Sequence, residues 1–242
     1  MLRAVLIAGA LLAGGYTSTA LARDVLLLGG TTFSDASKYH YLGLVVPIQQ
    51  QSLDRDGMLV RLWAAYKDYK YTTRFTGGAA GIPTNIDVDG PEGEIALGYQ
   101  LFSGKDTRFT GYLGVVQRDL DATPNDPSSK AESKDTGYKL QLEGSTRGGK
   151  FGLSAIGSYT FEFDDYWGRV RPAWYLNNRL HIGPELVLMG GDKWDKQQLG
   201  IFLGGIQLGK QADLEFKLGG EHSNRTGGGT KAYGGISFSV RF

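Results

Sequence analysis

The sequence lacks cysteine altogether, has only three histidines, and carries almost no net charge. Without cysteine, disulfide-stapled folds, thiolate metal sites and cysteine nucleophiles are excluded. With 26 Lys and Arg against 25 Asp and Glu, the chain has no cationic excess to displace counterions from phosphates, so we expect no nucleic-acid partner. After the first 22 residues, no apolar run approaches the roughly 20 residues that a membrane-spanning helix needs.

Residues 1–22 have the features of a secretory signal peptide. Arg3 supplies a positive charge, residues 4–15 are apolar, and Ala20-Leu21-Ala22 forms a small-x-small cleavage motif. A run without a polar face does not fit an amphipathic helix of the folded protein. We predict cleavage after Ala22 and export of a single domain, residues 23–242.

Side-chain polarity in that domain alternates with a period of two. Tyr138, Leu140 and Leu142 share one face of a predicted strand, and Lys139 and Gln141 lie on the other. Segments of about 9–11 residues with this alternation are typical of transmembrane β-barrels. Twelve such segments are predicted, at 24–33, 39–49, 57–69, 92–102, 107–118, 135–146, 151–163, 166–176, 179–189, 196–208, 212–221 and 232–242. The sequence therefore predicts an all-β fold, a transmembrane antiparallel β-barrel of about twelve strands.

The connections and the last strand support an outer-membrane location. Short turns mostly alternate with long polar loops such as 71–91 and 119–134, as in outer-membrane barrels. The strand that ends at Phe242 alternates and finishes on an aromatic residue, which resembles the signal of bacterial outer-membrane assembly. We expect the outer membrane of a Gram-negative bacterium, with its lipid as the surroundings. A soluble β-sandwich is the alternative, because it also alternates.

The predicted register turns charges of both signs into the barrel, because charge facing lipid is unfavourable. The predicted inward charges are Arg61, Lys67, Arg108, Arg118, Lys139, Arg169, Arg171, Lys217 and Arg241, with Glu94, Glu143, Glu162, Glu185, Asp213, Glu215 and Glu221. They either pair with each other across the barrel or line a narrow polar passage. In a passage, the rings of Trp63, Trp167 and Tyr175 would lie against sugar faces, and the neutral net charge favours an uncharged solute.

Catalytic and metal-binding patterns are weak. His40, His181 and His222 have no recognisable nucleophile partner, and the Asp-rich loops 84–92 and 119–135 lack the spacing of a calcium loop. We predict no catalytic residues, no metal and no cofactor. An outer-membrane hydrolase remains as an alternative.

Several blocks resemble the BcsS family of bacterial cellulose-biosynthesis proteins. The blocks are 56–63 (DGMLVRLW), 110–115 (TGYLGV), 123–127 (TPNDP), 141–144 (QLEG), 166–172 (YWGRVRP), 182–185 (IGPE) and 195–200 (DKQQLG). The resemblance covers nearly all of residues 23–242. It implies an outer-membrane barrel tied to cellulose production or export, and it supplies no catalytic motif.

The resemblance adds a substrate class to the predicted barrel. Together with the predicted register, it favours a narrow passage for a neutral glucan. In that passage we predict Trp63, Trp167 and Tyr175 as glucan-contacting residues, with Arg61, Arg169, Arg171, Glu143 and Glu185 as lumen polar groups. The alternative is a non-conducting structural or assembly partner of other cellulose-secretion proteins, working through its long external loops.

Overall fold

The computed structural model describes residues 24–48, 52–74, 83–126, 133–192, 194–223 and 229–242. The predicted signal peptide lies outside these residues. Their regular structure consists of twelve strands: β1 (Leu26–Ser34), β2 (Ser37–Pro47), β3 (Gly57–Arg74), β4 (Pro83–Ser103), β5 (Thr107–Thr123), β6 (Ser133–Gly148), β7 (Phe151–Thr160), β8 (Asp165–Tyr175), β9 (His181–Gly190), β10 (Asp195–Gln207), β11 (Ala212–Ser223) and β12 (Thr230–Arg241). No helix among the described residues is long and apolar enough to cross a membrane.

Each strand pairs with its neighbours in the chain, and β1 pairs antiparallel with β12 to close the barrel. This confirms the predicted fold and strand number and excludes the β-sandwich. The short turns 104–106, 149–150, 176–180 and 208–211 lie at one end. We take that end as periplasmic, because outer-membrane barrels have short periplasmic turns and longer outer loops.

The outer surface has an apolar band between two belts of aromatic rings. Phe33, Tyr138 and Tyr166 lie near the outer ends of their strands, and Phe109 and Trp174 lie near the periplasmic ends. Tyr166 and Trp174 are eight residues apart on β8, or about 26 Å at ~3.3 Å per residue. With barrel strands tilted by roughly 35–45°, this corresponds to about 20 Å along the membrane normal, close to the ~25 Å apolar band that aromatic girdles flank in outer-membrane barrels.

Many of the 37 glycines make room for an aromatic ring on the neighbouring strand. Gly43 lies directly opposite Trp63, and a Cβ at Gly43 would fall 2.3 Å from the Trp63 ring. The same relationship joins Gly98 to Tyr112 and Gly29 to Phe238. Such cross-strand pairs fix the register, because a shift of one residue places the ring on the wrong face.

Three strands are longer than predicted. β3 continues to Arg74, β4 begins at Pro83 and β5 ends at Thr123, so parts of the predicted loops 71–91 and 119–134 are paired strand. The Asp-rich segment 84–92 is likewise part of β4. The predicted strand 151–163 was too long, because β7 ends at Thr160 and Glu162 is exposed in the following turn rather than in the lumen.

The polarity of the two faces is inverted in the outer extension, which we define as residues 68–74, 83–91 and 119–123. Its inner face is apolar and buried. Its outer face carries Asp68, Lys70, Asp87, Asp119 and Asp121 in exposed positions or ion pairs. A hydrogen bond from Lys70 to Asp87 raises the pKa of the lysine. A surface that is apolar inside and charged outside is that of a structure in water, so this extension stands above the membrane.

Candidate functional site

The eight predicted site residues all lie on the inner wall of the barrel. Arg61 and Trp63 are on β3, Glu143 is on β6, Glu185 is on β9, and the others are on β8. The β8 residues are Trp167, Arg169, Arg171 and Tyr175, which alternate with outward Tyr166, Val170 and Trp174. The register that the sequence predicts is therefore confirmed at these positions.

One group of lumen charges joins β3 to β6. Arg61 donates from Nε to Oε1 of Glu94 at 2.8 Å, and its Nη1 lies 3.6 Å from Glu143. Lys139 donates to the other oxygen of Glu94 at 2.8 Å. The Arg61 guanidinium also lies 4.2 Å from the centre of the Tyr112 ring. Glu94 thus compensates two cations in the middle of the barrel.

A second group joins β8 to β12. Arg171 contacts Glu185 and donates to Glu215 at 2.8 Å. The Tyr233 hydroxyl donates to Glu185 at 3.1 Å, and Lys217 lies 4.0 Å from the same carboxylate. Glu185 is fully buried, so its charge requires these partners.

A third group lies towards the outer mouth, where Lys67 and Arg118 contact Glu92 at 2.6 Å and 3.1 Å, and Arg118 also contacts Asp165. Ion pairs of this kind engage every buried or half-buried carboxylate of the described inner wall. These carboxylates are Glu92, Glu94, Glu143, Asp165, Glu185, Asp213, Glu215 and Glu221. The predicted pairing of charges across the lumen is therefore present.

The aromatic residues of the site differ in how open they are. Trp63 stacks on Tyr41 with ring centroids 4.8 Å apart, and its Nε1 donates to the Tyr39 hydroxyl at 3.0 Å. Because its ring also lies over Gly43, Trp63 is packed into the wall. The nearest ring contact of Trp167 is the Arg169 guanidinium, 5.5 Å from the ring centre. Trp167 is the less enclosed of the two indoles.

Tyr175 belongs to a row of contacting aromatic, imidazole and guanidinium groups that the sequence did not predict. Arg147 lies 3.8 Å above the Tyr175 ring, His181 follows at 4.9 Å, Phe202 at 5.6 Å from His181, and Arg171 4.5 Å from Phe202. Phe202 was missed because an apolar residue on a strand with weak alternation was not recognised as inward. The bulge between Leu203 and Ile206 disturbs that alternation.

This row borders a cavity of about 270 Å³ in the periplasmic half of the lumen. Small residues form part of its wall: Ser145, Gly152, Ser154 and Ala173. Arg147, Arg171, Asp106 and Glu215 add charges of both signs. The cavity thus offers ring edges, hydroxyls and charged hydrogen-bonding groups together.

The periplasmic opening beside this cavity is narrowed by the turn between β2 and β3. Leu53 is buried against Val45, Leu59, Ala96 and Tyr112. The Gln100 amide donates to the Leu53 carbonyl at 3.0 Å. The turn therefore fills the β2–β5 side of the opening.

A salt bridge joins the segment before β1 to the end of β12 near this turn. Arg241 donates to Asp24 and to Asp54 at 2.6 Å each, and Asp24 accepts from the Leu53 backbone amide at 3.3 Å. The hydrogen bond from Arg241, followed by that from Ser52, lowers the pKa of Asp24.

Apolar side chains of the outer extension narrow the outer mouth. Tyr69, Tyr71, Ile86, Val88 and Leu120 form a buried cluster. Trp194, which precedes β10, packs against this cluster from another part of the rim. Among the described residues, this cluster and Trp194 thus cover part of the outer end of the lumen.

Comparison with solved structures finds outer-membrane channels of the same fold. A KdgM porin is 10% identical with a TM-score of 0.51, over 90% of this chain and 99% of that chain. The same porin in complex with disordered oligogalacturonate is 9% identical with a TM-score of 0.50, over the same shares of the two chains. An outer-membrane channel from Pseudomonas putida F1 is 11% identical with a TM-score of 0.54, over 95% of this chain and 98% of that chain. At these identities the likeness concerns the fold alone.

A comparison with curated proteins finds no match. The family model of the cellulose biosynthesis protein BcsS matches residues 26–242, which include all twelve strands. The match agrees with the resemblance carried by the sequence blocks along β3 to β10. The chain belongs to the BcsS family of cellulose biosynthesis proteins.

Proposed function

We propose that this barrel is a narrow passage for a neutral glucan in the cellulose system, narrowed at its outer mouth in the conformation described. The observation that carries the proposal is the cavity beside Tyr175, His181 and Phe202. Apolar rings with a few convergent polar groups are the usual composition of a small-molecule site. Hydroxyls of an unbranched glucan would exchange hydrogen bonds with Ser145 and Ser154 as the chain moves past.

The comparisons support the proposal at the level of the fold. The KdgM porin was determined in complex with oligogalacturonate, and 99% of that chain aligns with this one. A barrel of this overall size is therefore compatible with a sugar chain. Among the predicted residues, we assign Trp167, Arg169, Arg171 and Tyr175 to glucan contact, and Trp63 to a supporting position behind Tyr41.

Passage requires two rearrangements. The apolar cluster at the outer mouth must separate from Trp194, and the ion pairs of Arg61, Glu143, Arg171 and Glu185 must admit a sugar between them. Exchange of carboxylate–guanidinium contacts for hydroxyl contacts keeps each charge hydrogen-bonded, which limits the free-energy change.

The experiment is single-channel recording of residues 23–242 in planar bilayers, with and without cello-oligosaccharides, for the native protein and a Trp194→Ala variant. We expect small or rare openings in the native protein and larger ones in the variant. Cello-oligosaccharides should block these openings, and Trp167→Ala should weaken the block. A variant that stays silent, although folded, would contradict the passage.

A non-conducting structural partner of the secretion machinery is the second candidate, favoured by the narrowed outer mouth and the paired lumen charges. It predicts that cellulose output in cells survives Trp167→Ala and Tyr175→Ala but is lost when residues 75–82 or 127–132 are deleted. The passage predicts the opposite order of effects.

The family and the fold resemble non-enzymatic channels, and we propose that the protein is not an enzyme. An outer-membrane hydrolase would release products from glucan or lipid. Such turnover by the purified protein, lost on substitution of His181, would contradict this proposal.

A further inference from the structure

The charges of the inner wall do not balance locally. Every buried or half-buried carboxylate described there has a cationic partner, whereas three half-buried guanidinium groups form no ion pair with a described carboxylate. These groups are Arg108 on β5, Arg147 on β6 and Arg169 on β8. Arg147 donates instead to the backbone carbonyl of Asn178 at 2.8 Å. All three strands belong to one sector of the barrel.

Strand register places these arginines around one patch of wall. Arg108 pairs with Ser145, Ser145 with Ser154, and Ser154 with Arg171, which forms a straight row across β5 to β8. Neighbouring strands lie about 4.8 Å apart, so the row spans about 14 Å. Arg147 is two residues from Ser145, and Arg169 is two residues from Arg171, on the same faces. Four guanidinium groups thus surround two serines.

The space over these serines is the cavity of about 270 Å³, which Arg147 and Arg171 line. Arg108 and Arg169 lie beside that lining, at the position paired with Ser145 and two residues before Arg171. Ser145, Ser154, Gly152 and Ala173 leave room there because their side chains are short or absent. Arg147 is held in place by the Tyr175 ring at 3.8 Å. Arg171 already contacts Glu185 and Glu215, so the unbalanced charge comes from the other three arginines.

We propose that this patch, the arginine wall (Arg108, Arg147 and Arg169), binds the acidic group of a saccharide, such as the carboxylate of a uronate. Guanidinium groups bind carboxylates through paired charge-assisted hydrogen bonds, and the serine hydroxyls add further donors. Aromatic residues beside the cavity contact the sugar that carries the group. The inference concerns binding, and it stands whether or not the lumen conducts.

The test compares two ligands of equal length, a cello-oligosaccharide and its uronate derivative, by titration calorimetry with refolded residues 23–242. We expect the uronate to bind about tenfold or more tightly at low salt, as one or two charge-assisted hydrogen bonds imply. The advantage should shrink at high salt because Coulomb attraction is screened. Equal affinity for the two ligands would overturn the proposal and leave neutral-glucan binding untouched.

The variants separate the site from general charge. Arg108→Gln, Arg147→Gln and Arg169→Gln together should make the affinities for the uronate and the neutral oligosaccharide equal. The control removes the same number of charges outside the lumen, by Lys105→Gln, Lys150→Gln and Lys210→Gln in the periplasmic turns, and should retain the advantage. If the triple lumen variant does not fold, Arg169→Gln alone should reduce the advantage. An unchanged preference for the uronate in folded Arg169→Gln would contradict the proposal.

Inorganic phosphate serves as a further probe. If phosphate alone binds as tightly as the uronate oligosaccharide, the arginine wall is a site for free anions and the saccharide assignment is wrong. Phosphate binding that is much weaker supports recognition of the acidic group together with its sugar.

Discussion

The ring centroids of Tyr69 and Trp194 lie 5.4 Å apart across the outer mouth of the barrel. Tyr69 is on β3 and Trp194 precedes β10, and four strands (β2, β1, β12 and β11) separate them along the shorter arc. The contact therefore bridges two distant parts of the rim. It is the point at which the outer extension meets the opposite wall.

Loss of this contact should open the outer mouth. We expect Tyr69→Ala and Trp194→Ala to raise single-channel conductance and to increase cellular uptake of small hydrophilic dyes, because each removes a large ring from the apolar cluster. The conductance of the double variant should be only slightly higher than that of either single variant, because all three variants lose the same contact between Tyr69 and Trp194.

Tyr138→Ala is the matched control, because this ring is 70% exposed on the outer surface. It should leave conductance unchanged. Opening by this control to the same extent would indicate general loosening of the barrel rather than loss of a specific closure.

Removal of Glu94 should strongly destabilise the barrel. Glu94→Gln leaves Arg61 and Lys139 without their shared partner, and the Glu94 side chain is only 2% exposed. Breaking a buried pair in this way costs about 3–5 kcal/mol of unfolding free energy. Urea unfolding of the protein in vesicles measures the change.

The control for Glu94 is the exposed pair of Lys70 with Asp87, in which both side chains are more than half exposed. Asp87→Asn should cost less than about 1 kcal/mol. Similar losses for both variants would show that the lumen pairs are as well solvated as the surface pairs.

Gly43 should be intolerant of any side chain. A Cβ at this position would lie 2.3 Å from the Trp63 ring, so Gly43→Ala must displace the ring from its stack on Tyr41. Overpacking of this kind costs about 1–3 kcal/mol. Indole fluorescence should shift as the ring becomes solvated.

Gly93→Ala on β4, two strands from Gly43, offers a control because nothing lies within 4 Å of a Cβ placed there. Its unfolding midpoint and fluorescence should match those of the native protein. An unchanged spectrum in Gly43→Ala would mean that the stack tolerates the extra methyl group.

The link between Asp24 and Arg241 should make stability depend on acid. The pKa of Asp24 in the folded protein is lowered below its ordinary value of 3.8. A lowered pKa in the folded state contributes stability above 3.8, and this contribution is lost as the pH falls through the lowered value. Unfolding midpoints of native protein and Asp24→Asn should therefore differ at neutral pH and converge in acid. If the two unfolding midpoints differ by the same amount at every pH, Asp24 does not contribute to stability through its contact with Arg241.

Alternation along single strands was enough to predict the barrel, its twelve strands and the inward placement of the eight site residues. Residues 94–101 show why: Glu94 and Gln100 face inward while Ile95 and Leu97 face lipid, and the membrane enforces that division over its whole thickness. Beyond the membrane, polar residues no longer face inward and apolar residues no longer face outward. Ile86 and Val88 face inward with Asp87 outward, so the outer extension resembled a loop in the sequence.

Pairing of the lumen charges was predicted, but the partner of each charge was beyond prediction because register relates only neighbouring strands. Arg171 and Glu215 are 44 residues apart and on strands that do not pair. Their contact depends on barrel diameter and on side-chain length. The same holds for the Arg147, Tyr175, His181 and Phe202 row, of which the sequence indicated only Tyr175.

The inverted polarity of the outer extension means that one continuous sheet has two surroundings, lipid along its membrane-spanning part and water around its outer part. Below the outer aromatic belt, the outward leucines contact lipid. The stability of that part should therefore depend on the detergent or on the acyl-chain length of the lipid. Above the belt, water stabilises outward aspartates around an apolar interior, as in a small soluble protein. Denaturant and salt should therefore melt the outer extension independently, leaving a shorter but intact barrel in the membrane.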